Sequence, residues 1–230
     1  MRLELNGRYC LPQIFYRSAM PADWFIDAAS DLLIGGSCFG CDRPGRSLCL
    51  DCAHLLTPEV NQVHRAGLAI PVFSAGRYSG VLQKLLPAYK DDQALQLAAQ
   101  LGRLLAAAIS QASAEPLPLV PVPSSKKAVR QRGYAHVETL VRHARKWLAP
   151  APKQLKILRS VITADQVDMT RSDRFSNVAK TMSARPGKAE VLICDDIVTT
   201  GATLTEAVRA LTCAGYQVRA AAVIADTVAK

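Results

Sequence analysis

Two stretches of the chain carry residue types at spacings that can do chemistry. The first is VLICDDIVTTGATL, residues 191–204: an apolar run, the acids Asp195 and Asp196, then Thr199, Thr200, Gly201, Ala202 and Thr203. Carboxylates at the carboxyl end of a buried strand accept hydrogen bonds from hydroxyls or attract a cation, where parallel sheets bind ligands. Gly201 lets backbone approach a ligand closely. The amides of the turn and of the helix start after it suit a phosphate, with threonine hydroxyls beside them. A sugar phosphate satisfies both halves. The bland alternative is an acidic strand end followed by a threonine helix cap. Neither GxxxxGK[ST] nor GxGxxG is present, which sets aside the two commonest phosphate-loop fingerprints.

The second stretch is CFGCDRPGRSLCLDC, which spaces Cys38 and Cys41, and again Cys49 and Cys52, as CxxC pairs. Each tight turn aims two sulfurs at one point, and the loop with Pro44 and Gly45 is long enough to fold back. Four thiolates then surround one Zn²⁺ with no open coordination position, so the ion supports folding and does not catalyse. The competing reading is a pair of redox motifs, which usually occur singly near a β-α-β pattern that these lack. His54 is expected to be exposed and Cys10 has no partner motif, while Cys194 and Cys213 sit in apolar patterns and are expected in the core. An odd total of 7 cysteines, mostly paired at metal spacing, argues against a secreted disulfide framework.

The elements that must position these groups follow from periodicity. Ala94, Leu97, Leu101, Leu104 and Ala108 recur at helical spacing, as do Val137, Val141, Ala144 and Leu148, and Leu204, Ala207, Val208 and Leu211. Gly215 suits the end of the last helix. Residues 119–122, 191–194 and 220–224 are short, unbroken apolar runs, which suits strands covered on both faces. Residues 191–224 therefore read as a β-α-β unit. The expected fold is α/β, a mainly parallel sheet flanked by helices, with a small N-terminal zinc-binding module. Residues 1–62 are expected to form an N-terminal segment and knuckle, and residues 68–230 the larger domain.

Composition sets the limits. The chain has 230 residues, 50% of them hydrophobic, enough for one medium domain and an accessory module. A net charge of +9 favours polyanionic partners or phosphorylated ligands without choosing between them. The most apolar region, residues 95–109, is broken by Gln96, Gln100 and Arg103 and reads as a buried helix. The first residues carry Arg2, Glu4 and Arg8 and lack a signal-peptide core. A soluble, cytoplasmic chain without membrane insertion is the expectation.

The acid pair and threonine turn closely resemble the phosphoribosyl pyrophosphate (PRPP) signature of type I phosphoribosyltransferases: apolar strand, two acids, two apolar residues, then TTG[AS]T. With the zinc knuckle, the resemblance narrows to the ComF/GntX-like family, associated with competence and DNA utilisation. PVPSSKKAVRQRGYAHVETL is similar to that family's PVP…RG[FY]NQ segment, and DQVDMTRSDRFSNVAKTM to its Q…R…N segment. The likeness covers residues from about 30 to 227. Ala135 and His136 depart from the family's Asn and Gln, and Ala88 stands where a lysine is usual, with Lys90 following.

The resemblance implies a transferase that displaces pyrophosphate from C1 of PRPP with a nitrogen acceptor. Asp195 and Asp196 would hold the ribose hydroxyls, and Mg²⁺ through ribose or water. Thr199, Thr200, Gly201, Ala202 and Thr203 would hold the 5-phosphate. Ser124, Ser125, Lys126 and Lys127, just after the strand at 119–122, with Arg130 and Arg132 in an expected mobile loop, would meet pyrophosphate. A solvated or DNA-contacting basic loop explains the same residues, and Arg171 and Arg174 fit either role. His136 and Glu138 are candidate general bases, with surface exposure as the alternative. The second functional reading is a non-catalytic protein that senses PRPP or a nucleotide. It would bind single- or double-stranded DNA or a competence-machinery protein, with Arg43 and Arg46 on the knuckle. Homo-oligomerisation is left open.

Overall fold

The computed structural model describes residues 36–160 and 181–227. Its centre is a five-stranded sheet in the spatial order β1 (Asn61–Val63), β2 (Val72–Ser74), β7 (Gln217–Asp226), β6 (Glu190–Val198), β3 (Leu119–Pro121). Strands β2, β7, β6 and β3 run parallel, and β1 is an antiparallel edge. A separate antiparallel pair, β4 (Leu158–Ser160) and β5 (Met182–Ala184), lies beside it. The helices are α1 (Leu50–His54), α2 (Gly80–Asp91), α3 (Ala98–Ala112), α4 (Lys126–Arg132), α5 (His136–Ala144) and α6 (Ala202–Cys213). None is long and apolar enough to cross a membrane.

The sheet is covered on both sides because its central strands alternate two apolar faces. Leu192, Cys194, Ala220, Ala222 and Ile224 join one core with the buried sides of α2, α3 and α5. Val191, Ile193, Ala221 and Val223 join the other with Leu204, Ala207 and Leu211 of α6. The alanines of β7 keep the strand thin, so a helix can lie close on either side. The expected β-α-β unit is β6-α6-β7, closed at Gly215 with φ 95°.

Four local features differ from the sequence reading. Strand β6 runs four residues past Cys194, because β7 continues beside it and pairs Val198 with Asp226. The two acids thus lie inside a strand, beyond the end of β3 rather than beyond the end of β6. Helix α2 was not expected, since Pro87 sits within it. Its neighbour four residues back, Gln83, is exposed, so water can serve the carbonyl that the proline leaves unbonded. Residues 126–132 form α4 rather than a loop: Ser125 caps its start by accepting from Ala128 N at 3.1 Å, and Gly133 ends it at φ 80°. Cys213 is exposed, not core. It lies two residues past Leu211, about 200° around the helix from the buried stripe.

Helices α3 and α5 meet where Gly102 has no side chain. A Cβ there would lie 2.6 Å from His143 Cβ and 3.0 Å from Ala144 N. Alanine gains about 1 kcal/mol of helix propensity over glycine, yet overpacking a rigid contact costs roughly 1–3 kcal/mol. Gly102→Ala is expected to be net destabilising. A lower urea midpoint at unchanged m-value is the expected result, and a raised midpoint would show that the helices separate freely.

Candidate functional site

The ends of four segments converge on Asp196. Strand β3 stops early: Val122 N donates to Cys194 O at 2.9 Å. Farther along that edge Asp196 N donates to Asp195 Oδ1 at 2.9 Å. Because neighbours on a strand face opposite ways, Asp195 points toward the α6 side and Asp196 toward α2 and α5. There Lys90 Nζ from α2 lies 3.3 Å from Asp196 Oδ2, and His136 Nε2 from the first turn of α5 lies 3.1 Å from the same oxygen. His136 Nδ1 is 2.8 Å from Ser124 Oγ, just past β3. One tautomer satisfies both contacts: Nε2–H donates to the carboxylate, and Nδ1 accepts from the serine hydroxyl.

Buried tyrosines set this convergence. Tyr89, one residue before Lys90, is fully buried and donates its hydroxyl to His136 O at 2.9 Å. Tyr134 donates to Tyr89 O, and the two rings meet edge to face at 5.7 Å. The end of α2 and the start of α5 are therefore locked together, which brings Lys90 and His136 to one carboxylate oxygen.

Both aspartates are buried, at 6% and 5% exposure. Their environments push them apart. Burial and the charge of Asp196 raise the Asp195 carboxyl well above its ordinary range. Burial opposes ionisation of Asp196 too, but the hydrogen bond from His136 and the charge of Lys90 outweigh it and hold the carboxyl below that range. An adjacent pair split in this way, at the end of a sheet, is the electrostatic pattern of a functional site.

The threonine turn follows directly. Thr199, Thr200 and Thr203 are exposed, Gly201 is buried at φ 86°, and Ala202 opens α6. Gly201, the residue before α6, has no side chain to cap it, and the side-chain contact to the first amide is a long one, Ala202 N to Thr200 Oγ1 at 3.4 Å. Beneath the turn lies Arg65, whose Nε donates to Thr199 O at 2.6 Å. Sequence reasoning missed it: 134 residues separate the pair, and no local pattern marks such a contact.

The segment after β3 is divided in its duties. Ser124 faces His136, while Ser125 accepts a hydrogen bond as the cap of α4. Lys126, Lys127 and Arg130 are exposed. Arg132 pairs with Asp91 at 2.9 Å, which ties the end of α4 to the end of α2 near Lys90. Glu138 is two residues from His136, on a different face of α5, and pairs with Lys156 at 2.5 Å. It lines a cleft of about 270 Å³ to which neither aspartate belongs. Arg171, Arg174, Cys10 and most of the Q…R…N segment lie outside the described residues.

The four cysteine sulfurs lie within 4.8 Å of one another. Cys41 Sγ and Cys49 Sγ are 3.7 Å apart, close to the edge of about 3.8 Å in a tetrahedron of Zn–S bonds of about 2.3 Å. The donor set and its size fit zinc. Amides of Gly40 and Cys49 point at Cys38 Sγ, both at 3.4 Å. Burial alone would raise that thiol, but these amides bring it down to about 6. Burial and the neighbouring sulfurs push Cys52 up instead. His54 is exposed, and Arg43 of the knuckle loop pairs with Asp51 on the surface at 2.9 Å.

No curated protein matches the chain. The family model described as phosphoribosyl transferase domain matches residues 94–230, more than half of the length, with the cysteine module, Arg65 and Lys90 ahead of that span. Strands β3, β6 and β7, the acid pair of β6 and the threonine turn all fall within that span, and the chain belongs to the phosphoribosyl transferase domain family.

Proposed function

We propose that the chain binds PRPP and transfers its phosphoribosyl group to a nitrogen nucleophile, as a ComF/GntX-like phosphoribosyltransferase. The observation that carries the reading is the convergence on Asp196 of Lys90, His136 and, through His136, Ser124, one short turn away from the exposed threonines that open α6. Asp195 and Asp196 serve the ribose hydroxyls, and residues 199–203 the 5-phosphate. Lys90, whose side chain is 36% exposed, swings off Asp196 Oδ2 as the sugar enters, toward the pyrophosphate.

The acceptor's lone pair forms the C1–N bond while the C1–O bond breaks. Pyrophosphate leaves with that electron pair, and the extra proton on nitrogen passes to solvent. Positive charge grows on the ribose beside the two carboxylates. Negative charge grows on the leaving group, where Ser124, Ser125, Lys126, Lys127, Arg130 and Arg132 supply donors. Asp195 and Asp196, together with phosphate oxygens of the substrate, make an all-oxygen donor set that fits Mg²⁺. When bound, that ion supplies charge neutralisation for the departing pyrophosphate.

The test is a pyrophosphate-release screen with PRPP, Mg²⁺ and a panel of nucleobases and amines, alongside calorimetry of PRPP binding. Acceptor-dependent release is the expected result. Tight PRPP binding with no release would make the chain a sensor, and no PRPP binding at all would overturn the reading.

A further inference from the structure

We propose that Arg65 is a positioning residue that sets the 5-phosphate turn from beneath, so that the turn's amides face the ligand. The inference rests on the PRPP reading for the identity of that ligand, but not for the geometry. Arg65 lies on the loop after β1, and its side chain is only 8% exposed. Four of its five N–H donors are directed into the protein: Nε to Thr199 O at 2.6 Å, NH1 to His64 O at 2.9 Å, and NH2 to Thr227 O at 2.7 Å and toward Asp226 Oδ2 at 3.5 Å. With so few donors left, it holds the cradle and is not itself a phosphate ligand.

The contact fixes a direction. In a trans peptide the C=O and the following N–H point opposite ways. Thr199 C=O turned down onto Arg65 sends Thr200 N–H up, toward the side where the Thr199 and Thr200 side chains are exposed. Without a donor beneath, that carbonyl would be free to flip outward to water, presenting an oxygen to an anion. The stem of Arg65 also explains the glycine. A Cβ on Gly201 would lie 3.0 Å from Arg65 Cβ and 3.4 Å from its Cγ, at a φ of 86° that side chains avoid. The guanidinium further ties the turn to the end of β7 through Thr227 O, the residue whose N–H donates to Val198 O of β6 at 3.1 Å. Asp226 Oδ2 at 3.5 Å offsets part of its charge, so Arg65 acts on the turn through its hydrogen bonds.

The test uses the full chain with Arg65→Lys and Arg65→Ala. Lysine keeps a charge but cannot span Thr199 O, His64 O and Thr227 O together. Three measurements are made: amide hydrogen exchange of residues 199–203 without any ligand, affinity for ribose 5-phosphate, and affinity for pyrophosphate. In Arg65→Ala, exchange in the turn rises about tenfold or more while α3 and β7 hold their protection. Affinity for ribose 5-phosphate falls roughly 30-fold or more, as on truncating a buried hydrogen-bonded charge, while pyrophosphate binds nearly as to wild type. Arg65→Lys shifts the same readouts in the same direction, less far, and answers the question if the alanine variant does not fold. Unchanged exchange and unchanged ribose 5-phosphate affinity overturn the proposal, and so does equal weakening of both ligands. If wild type binds neither ligand, the PRPP reading falls, and the exchange measurement alone decides whether Arg65 sets the turn.

Discussion

Asp196→Asn loses PRPP binding and destabilises the fold, whereas Asp195→Asn loses PRPP binding and stabilises it. The two substitutions are chemically identical, and the difference comes from what surrounds each carboxylate. Asp196 is an anion that the fold favours, with Lys90 and His136 on one oxygen. Its folded-state pKa lies below the ordinary value despite burial. Such a group contributes stability above its unfolded pKa and loses it as pH falls through the folded one. Neutralising it removes that contribution and leaves Lys90 and His136 facing an uncharged amide. Asp195 has the opposite sign. Burial and the neighbouring charge raise its folded pKa well above the ordinary value. Its contribution is present below the unfolded pKa and is lost as pH rises through the folded one, so at neutral pH its charge is a burden. Asparagine keeps an oxygen to accept from Asp196 N and removes the charge.

The expected loss of PRPP affinity is roughly a hundredfold or more for each variant, since both replace a carboxyl group that serves the ribose hydroxyls. The expected change in melting temperature is upward for Asp195→Asn, by roughly 2–8 °C, the scale of a single relieved burial, and downward for Asp196→Asn. Thermal scans from about pH 8 down to about pH 2 check the sign, because the Asp196 contribution is lost only below its unfolded pKa. The advantage of Asp195→Asn over wild type grows with pH, and that of wild type over Asp196→Asn shrinks as the solution is acidified. If both variants moved stability the same way, the pair would not be electrostatically divided. Unchanged PRPP affinity in both would remove the acids from the site.

What the sequence made legible was whatever is local. The acid pair, the threonine turn and helix α6 are contiguous, so an apolar run, a glycine and a helical repeat mark them. The CxxC spacing likewise encodes the sulfur cluster without any tertiary information. Helices α3 and α5 carry strong apolar repeats and were read correctly apart from their ends. Helix α2 was not, although Leu85, Leu86 and Tyr89 recur at helical spacing and are all fully buried; Pro87 masks the signal, and Gln83, four residues back, is exposed to water. Helix α4 was hidden by its charge, because a short basic helix with no buried residue has no apolar stripe to read. The deeper gap concerns convergence. Lys90, His136, Ser124 and Arg65 come from separate segments, and nothing in the spacing of a single sequence says that they end beside residues 196–199. Lys90 is instructive: Ala88 occupies the position where resemblance expects a lysine, yet an ammonium two residues later reaches the same carboxylate.

Removing the four-cysteine cluster that fits zinc is expected to reach that carboxylate too. The cysteine module is continuous with the core that holds α2. Phe39 and Leu48 pack against the cluster that contains Leu56, Leu85, Leu86 and Tyr89. A Cβ on Gly40 would lie 2.6 Å from Cys52 Sγ and 3.3 Å from Val81 Cγ1, so the knuckle sits directly on the first turn of α2. Asp42 and Lys84 add a surface pair at 3.0 Å, which contributes little by itself. A module this small has no core to fold on without its ion, and structural zinc supplies about 10–16 kcal/mol of apparent binding energy in comparable peptides. Cys38→Ser/Cys49→Ser is therefore expected to reduce zinc from about one per chain to near none. It should also expose Phe39, Leu48 and Leu56 and lower the melting temperature by roughly 10 °C or more. Because Tyr89 anchors the start of α5 from the far end of the same helix, loosening α2 also frees Lys90 and His136, and PRPP affinity falls with the zinc content. Metal analysis, thermal scans and calorimetry on the same preparations check the three parts together, and adding a strong chelator to wild type should reproduce them. A variant that lost its zinc yet kept its melting temperature and its PRPP affinity would show the module to be a peripheral cap, with α2 held by α3 and the sheet alone.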